Sequence, residues 1–419
     1  MSTAVNELLD GFFRHGYGKL VSVLTRLFGP RHHELAEDVV QAALVKAMES
    51  WRFGNVPQNP SAWLYRVARN RALDVLRREG TGERLAADII HHYDGGQSAA
   101  DLLDSVFLED EISDSQLRMM FVCCDPDMPA ESRIALTLKT LCGFSSTEIA
   151  DALLTSQINV NKRLQRARQY LRELDNLLDL PTADRLKPRL ESVHAVLYLL
   201  FNEGYHSSHS SEVIRQNLCD EAIRLCRLLA EHPVCRAAST WALLALMLFH
   251  SARFAARLDA DGDIVLLEDQ DRGRWDRKLI GDAGRCLERS AEGNEISTYQ
   301  LEAAIAAHHC MADSIQDTDW SAILHLYDML LELKPSPIYQ LNRTIVLAKI
   351  RGPAAGINEI ERIRDAKALS RYYLLEATLG QLQLEAGQPQ IARELFQDAR
   401  KKTTSEKERS LLDRKIAAL

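Results

Sequence analysis

Two helical patterns separated by a short break constrain this chain more than any other stretch of it. They lie between Phe144 and Glu173. Ser145 precedes the first pattern, and Glu148 lies three residues after Ser145, which is the spacing of a capping box. Ser156 offers a second N-cap before the longer pattern QINVNKRLQRARQYLRE, whose apolar residues recur at the spacing of one buried helical face. Those apolar positions are Val160, Leu164, Ala167 and Leu171.

The other faces of the second helix carry five cations and no acid before Glu173. The cations are Lys162, Arg163, Arg166, Arg168 and Arg172. Two helices joined by a tight turn, the second strongly cationic, are typical of the helix-turn-helix that reads DNA. Cations without a counter-charge repel one another, and a polyanion would balance them with an affinity that falls as salt rises. A solvated basic helix in an all-helical protein is the alternative.

Composition limits what else the chain can be. Its 419 residues are enough for two or three domains, and its net charge of -8 makes it no general binder of polyanions. No apolar run approaches the ~20 residues that cross a bilayer, and the N-terminus lacks a signal-peptide pattern. Eight scattered cysteines without a CxxC pair indicate reduced thiols, so we expect a cytoplasmic protein. We expect no membrane contact, metal or cofactor, because neither ligand spacing nor a catalytic motif is present.

A second basic region lies near the N-terminus. Amphipathic patterns predict one or two helices over Glu7–Phe28 and another from about His33 to Trp51, with Gly29-Pro30 between them. A loop rich in proline follows, and Ser61 is the expected cap of a helix over Ser61–Arg78. That helix interleaves Trp63 with several arginines, a combination that stacks unpaired bases and holds a nucleic-acid backbone. A core helix with an arginine face is the alternative.

An acidic segment connects the two basic regions. Gly82–Asp114 contains nine acids against the single base Arg84, a local charge of -8 that equals the net charge of the whole chain. Gly95-Gly96 adds flexibility. Fully extended, such a segment reaches on the order of 100 Å. An ordinary solvated linker is one interpretation of this segment.

The segments AEDVVQAAL and NPSAWLYRVARNRALDVLRR resemble region 2 of the extracytoplasmic-function (ECF) sigma factors of bacterial RNA polymerase, and Met119–Glu173 resembles their region 4. The resemblance implies partners, namely promoter DNA and core RNA polymerase through its β′ clamp and β flap. It also implies an alternative to a passive linker, in which the acidic segment lies in the cationic nucleic-acid channel of the polymerase. Polymerase contacts are expected at Asp38, Val39, Gln41 and Ala42. Contacts to the melted −10 element are expected at Trp63, Arg66, Asn70, Arg71 and Arg77, with the Trp51–Ser61 loop shaping a pocket for a flipped base. Reading of the −35 element is expected at Asn159, Asn161, Lys162, Gln165 and Arg166.

The second half of the chain reads as paired helices. Segments beginning at Tyr299, Tyr339 and Tyr373 look alike and each is followed by a second amphipathic helix. A period near 34 residues is typical of tetratricopeptide repeats, so we expect a tetratricopeptide-like array that binds a regulatory protein. Pro181 and Pro188 are expected to mark its boundary.

Two strings in this half, LYLLFNEGY and LLEDQDRGRWD, resemble an ECF group with a fused repeat domain that controls its activity. Gly204 is expected in a left-handed conformation at the end of a helix. The second string forms either an intradomain ion-pair network or a docking surface for the DNA-reading domains or polymerase. The expected regulatory residues are Asn202, Glu203, Asp269, Asp271, Arg272, Trp275 and Asp276.

The sequence therefore predicts an all-α protein in four parts. These are region 2 over residues 1–80, an acidic linker over 81–114, region 4 over 115–180 and a helical repeat domain over 181–419. The predicted function is promoter recognition as a dissociable, non-catalytic subunit of RNA polymerase. One rival is an autonomous helix-turn-helix regulator with a sensing repeat domain, and another is a hydrolase built around Glu203 and His206.

Overall fold

The chain folds into helices that form two compact units, Met1–Leu197 and Tyr198–Leu419. The computed structural model describes residues 3–51, 56–77, 109–153, 155–174, 183–205, 215–233, 235–292, 296–367, 369–370 and 372–419. Within them the only β-structure is an antiparallel bridge between Leu258 and Ile264. The expectation of an all-α protein is confirmed. No helix of the described residues is both long and apolar enough to cross a bilayer.

Three helices build the first core: α1 (Thr3–Phe28), α2 (His33–Trp51) and α3 (Pro60–Leu76). Their inward positions are fully buried, as Leu20, Leu24, Val40 and Leu64 illustrate. The expected cap Ser61 is wrong by two residues. Asn59 caps α3 by accepting from the Ala62 N–H at 3.0 Å, because Pro60 occupies the first helical position, where no N–H is needed.

Between residues 109 and 174 the described part of the chain forms four more α-helices: α4 (Glu109–Cys123), α5 (Ala130–Thr140), α6 (Ser146–Ala152) and α7 (Gln157–Glu173). The expected linker therefore ends earlier than Asp114, since residues 109–114 are helical. Arg26 on α1 holds this turn of α4, with Glu111 at 2.7 Å and Asp114 at 2.9 Å. Most of the acidic segment, residues 78–108, lies outside the described residues.

The segments expected to form separate region 2 and region 4 domains pack against each other in this unit. Helix α1 contacts both α4 and α5. A side chain at Gly18 of α1 would collide with the carbonyl oxygen of Leu141, just after α5. Glycine at this position therefore permits the close approach of the two helices.

Helix α8 (Ala183–Tyr205) runs through Pro188, which was expected at a domain boundary. It also runs through Gly204, which was expected in a left-handed conformation at the end of a helix. Gly204 lies within α8, and a neighbouring helix, α9 (Gln216–Glu231), comes close to it. A Cβ at Gly204 would lie 2.7 Å from Cys219 Sγ and 2.8 Å from the Arg215 carbonyl oxygen. The glycine thus serves packing between helices and not a left-handed turn.

The second unit continues with α10 (Ala238–Ser251) and α11 (Arg277–Ser290), and then with helices in pairs. The pairs are α12 (Thr298–Met311) with α13 (Trp320–Leu333), α14 (Pro337–Arg351) with α15 (Pro353–Ile363), and α16 (Tyr373–Glu385) with α17 (Pro389–Lys402), before α18 (Glu406–Ala417). Members of each pair contact one another, and successive pairs share apolar clusters. The helical nature expected for the three segments is confirmed, and their assignment to tetratricopeptide-like repeats stays a prediction.

Candidate nucleic-acid interface

Helix α3 presents a face that combines an aromatic ring with cations. Trp63, Arg66, Asn70 and Arg77 follow one another at intervals of three, four and seven residues, which places them on one side of the helix. Arg66, Asn70 and Arg77 are exposed, and so is Arg71 on an adjoining side. No ion pair to Arg66, Arg71 or Arg77 is present in the described part of the chain, so their charges are available to an external anion.

The indole of Trp63 is held at the edge of the core by a second tryptophan. The ring centroids of Trp63 and Trp51 are 5.2 Å apart with an interplanar angle of 57°. Trp51 is buried at 3% exposure, whereas Trp63 is only partly buried. A tilted aromatic pair of this kind fixes the outer ring beside the exposed arginines. Four residues of the loop expected to form a base pocket, 52–55, lie outside the described residues.

The α6–α7 turn forms as the sequence predicts. Ser145 and Glu148 make both hydrogen bonds of a capping box, and Ser156 accepts from the Asn159 N–H at 3.3 Å. The predicted stripe on α7 is buried, with Val160 and Ala167 fully so and the other two positions nearly so. These contacts fix α7 against α5 and α6 and leave its opposite face outside. The expected helix-turn-helix is therefore present.

The outward face of α7 contains all five side chains expected to read DNA. Asn159, Asn161, Lys162, Gln165 and Arg166 are exposed. Asn159 Nδ2 donates to Thr155 Oγ1 at 3.2 Å, which orients that amide. Lys162 and Arg166 have no ion-pair partner among the residues that the structure describes.

The remaining three cations of α7 do have counter-charges, contrary to the expectation of an unbalanced helix. Arg163 pairs with Glu131 of α5 at 3.1 Å. Arg168 and Arg172 reach α2, where they pair with Glu37 at 2.8 Å and Glu34 at 2.5 Å. The balancing acids come from segments distant in sequence, so the charge pattern of α7 alone could not reveal them.

Glu37 is the centre of a buried polar cluster between α1, α2 and α7. Its carboxylate accepts from Tyr17 Oη at 2.9 Å and from Arg168 Nη2 at 2.8 Å. Burial by itself raises the pKa of Glu37, but the charges of His33 and Arg168 and these hydrogen bonds outweigh burial and lower it. Burial also lowers the pKa of His33, so near neutral pH Arg168 is the standing positive charge beside Glu37, and His33 adds its charge only when it is protonated.

His33 links three segments of the unit. Its Nδ1 lies 3.0 Å from Thr25 Oγ1 of α1, and its Nε2 lies 3.3 Å from Thr140 Oγ1 at the end of α5. The imidazole is buried at 2% exposure. Our sequence reasoning missed both His33 and Glu37, and a histidine four residues before a glutamate at a helix start was the only available signal.

Helix α2 exposes part of the set expected to bind polymerase. Asp38 and Gln41 are exposed and Ala42 is partly buried. Val39, in contrast, is 4% exposed and belongs to the hydrophobic core, so its side chain supports the helix from within. Two apolar residues on the outer side were not expected as contacts: Val45 is 53% exposed and Met48 is 60% exposed.

In the second unit, the acids of the string from Leu266 to Asp276, all of it described, form no ion pair with the arginines of the same string, and Glu268 pairs instead with Lys349 of α14 at 2.9 Å. Arg272 is buried and donates to the carbonyl oxygens of His309 at 2.8 Å and Ala312 at 2.6 Å. Asp271 and Asp276 accept from backbone N–H groups as helix caps. The guanidinium of Arg272 also lies over the ring of the buried Trp275, at 4.9 Å.

The other residues expected on a regulatory surface lie at different depths. Asp269, Asp271 and Asp276 are exposed, whereas Asn202 and Glu203 are partly buried near the end of α8. Burial raises the pKa of Glu203 to about 7, against the opposing effect of Arg215. No group of three metal-ligating side chains occurs in the described residues of either unit.

The two basic faces lie in segments that match known protein families. Residues 12–81 match Sigma-70 region 2, and residues 122–171 match Sigma-70 region 4. The ECF RNA polymerase sigma-E factor of Haemophilus influenzae is 30% identical over 137 residues, which cover 32% of this chain and 71% of that protein. The chain belongs to the ECF RNA polymerase sigma factors. The sigma factor SigW of Bacillus subtilis is 26% identical over 155 residues, or 82% of its length.

Beyond the two sigma regions, residues 189–291 of this ECF sigma factor match a family of unknown function, DUF6596. An uncharacterized protein of Rhizobium meliloti is 36% identical over 382 residues, which cover 90% of this chain and 88% of that protein. A match of this length extends over parts of both units, so the similarity to this relative continues well beyond the two sigma regions.

Proposed function

We propose that this ECF sigma factor directs core RNA polymerase to promoters by reading two separate elements. Helix α3 holds the melted −10 strand, with Trp63 for stacking and Arg66, Arg71 and Arg77 for the backbone. Helix α7 enters the major groove at the −35 element, where Asn161 and Gln165 suit adenine edges and Arg166 suits guanine. The observation that carries the proposal is that both faces are exposed and cationic within a chain of net charge -8.

Helix α2 is the proposed contact to the polymerase, through the β′ clamp. Its outer side combines the exposed Asp38 and Gln41 with the exposed apolar side chains of Val45 and Met48. Large exposed apolar residues on one side of a helix are typical of a protein-binding surface. Region 4 would meet the β flap.

Promoter binding requires the two regions to separate. In the structure α2 touches α7 through Arg168 and Glu37, whose charged atoms are 2.8 Å apart. The two promoter elements are more than one turn of duplex apart, and one turn spans about 34 Å. The packed form described here therefore precedes the promoter-bound form, and the acidic segment between the regions supplies the necessary reach.

The second unit is the proposed controlling element, acting through a regulatory protein bound to its helix pairs. Its support is the match to the Rhizobium meliloti protein over parts of both units, together with the exposed Asp269, Asp271 and Asp276. The structure also refines where to cut. Arg189 of α8 pairs with Asp125 at 2.8 Å and Ser192 donates to the Cys124 carbonyl oxygen at 2.5 Å, so the start of α8 belongs to the first unit.

The decisive experiment is promoter-specific runoff transcription with purified core polymerase. The full chain should support it, and truncations after Leu197 and after Leu180 should separate loss of the second unit from loss of the α8 contacts. If the chain that ends at Leu197 is more active than the full chain, the second unit inhibits initiation. If that chain has lost activity, the second unit is needed for initiation. Duplex binding without initiation would instead support the autonomous regulator. A hydrolytic activity that Glu203→Gln abolishes would support the enzyme.

A further inference from the structure

One large apolar side chain lies on the otherwise polar face of α7, near the start of the helix. Ile158, the second residue of the helix, is 68% exposed. It is the most exposed large apolar residue in the described part of the chain. Its neighbours in sequence, Gln157 and Asn159, are polar and exposed. An isoleucine that is left in water gains none of the free energy of burial. A contact with an apolar group outside the protein would bury it.

Its direction follows from the spacing of the helix. The buried stripe of α7 runs at positions 160, 164, 167 and 171, and a second stripe of identical spacing starts two residues earlier. That second stripe is Ile158, Lys162, Gln165 and Gln169, all exposed. Two residues correspond to about 200° of rotation in an α-helix. Ile158 therefore lies on the side opposite the buried stripe, in line with the residues proposed to read DNA.

We infer that Ile158 is a specificity-determining residue that contacts the C5-methyl group of a thymine in the −35 element. The inference rests on the proposed function. The first residues of a recognition helix meet the base edges. On those edges the thymine methyl is the apolar group of the major groove, and small apolar side chains recognise it. Asn161 and Gln165, one turn or two along the same helix, suit the adenines of such A·T pairs.

The contact separates two kinds of recognition on one helix face. Lys162 interacts with the charge of phosphates, which are the same in every sequence, and Arg166 suits the hydrogen-bonding edge of guanine. Ile158 responds to a single methyl group. Burying one methyl group changes affinity by about fourfold. Replacing thymine by deoxyuridine removes that methyl and keeps every hydrogen-bonding group of the base.

The test uses the full chain assembled with core polymerase. A duplex is first selected from a random-sequence library by the wild-type complex, and each of its thymines in the −35 region is then replaced singly by deoxyuridine. For the wild type, one replacement should weaken binding by about fourfold. Ile158→Ala should lose a similar factor on the thymine duplex and show equal affinity for the two duplexes. Ile158→Val, which keeps a branched apolar side chain, should retain most of the difference.

Two results would overturn the inference: no thymine at which the wild type senses the methyl, or a thymine-to-uracil ratio that Ile158→Ala leaves unchanged. A paired control keeps this distinct from failure of the proposed function. Lys162→Ala with Arg166→Ala should weaken binding to both duplexes equally and reduce the salt dependence. If that variant binds as the wild type does, α7 is not the reader and the proposed function itself fails.

Discussion

Helices α3 and α7 are both rich in arginine, yet their charges are balanced in different ways. On α3 the exposed Arg66, Arg71 and Arg77 have no ion-pair partner in the described part of the chain. On α7 three of the five cations pair with acids of α2 and α5, and Lys162 and Arg166 stay open. The exposed arginines of α3 are thus all open, whereas α7 uses three of its cations to hold the unit together and leaves two for the proposed DNA contacts.

Locking α2 to α7 should have the largest effect. Glu34→Cys and Arg172→Cys, joined by a bifunctional thiol reagent that a reductant cleaves, would hold regions 2 and 4 in the packed form. The eight native cysteines are buried, so the new pair should react selectively. We expect initiation in a runoff assay to be abolished and then restored by cleavage. Each single-cysteine variant, treated in the same way, should stay active.

Full activity of the cross-linked protein would show that the packed form itself initiates. The substitutions alone should do little harm, since the Glu34–Arg172 pair is about half exposed on both sides and such pairs contribute at most about 1 kcal/mol.

Removing the open cations of α7 should have the next largest effect. Lys162→Ala with Arg166→Ala should lower the affinity of the holoenzyme for promoter duplex by roughly 30- to 1000-fold, and the lost phosphate contact of Lys162 should lower the slope of log affinity against log salt by about 1. Filter binding across a salt series measures both. Arg163→Ala is the matched control, because this arginine is already paired with Glu131. Equal losses for the two variants would contradict the division of α7 into open and paired cations.

The division was only half visible in the sequence. The caps Ser145 and Ser156 and the buried stripe of α7 follow from residues within a few positions of each other, and all were predicted correctly. The partner of Arg168 is 131 residues away, and no local pattern encodes it. The prediction for Gly204 was wrong for the same reason, because this position needs a glycine where Cys219 of another helix comes close. Local chemistry predicts which face is polar, whereas packing decides which polar groups stay free.

Breaking a paired cation should affect stability more than DNA binding. Arg168→Ala leaves the buried carboxylate of Glu37 with Tyr17 as its remaining close donor, and should lower the free energy of unfolding of the first unit by about 2 kcal/mol. Urea denaturation of the full chain, followed by hydrogen exchange in peptides of α1 and α2, localises the loss. Arg166→Ala should leave unfolding unchanged. A variant at Arg168 that weakens promoter binding at full stability would place Arg168 among the DNA contacts instead.

The smallest effect concerns pH and the same buried cluster. Burial lowers the pKa of His33, so near pH 6.5 this side chain binds a proton in the unfolded chain but not in the folded chain. Stability should therefore fall as pH drops below about 6.5, and it should keep falling until the pKa of the folded state is reached. His33→Gln should flatten this part of the curve in hydrogen exchange of α2 peptides. His194, whose pKa burial lowers to about 4, should preserve its own share of acid sensitivity in that variant. A profile for His33→Gln as steep as that of the wild type would mean that His33 is protonated inside the fold, and Glu37 would then owe its charge to His33 as well as to Arg168.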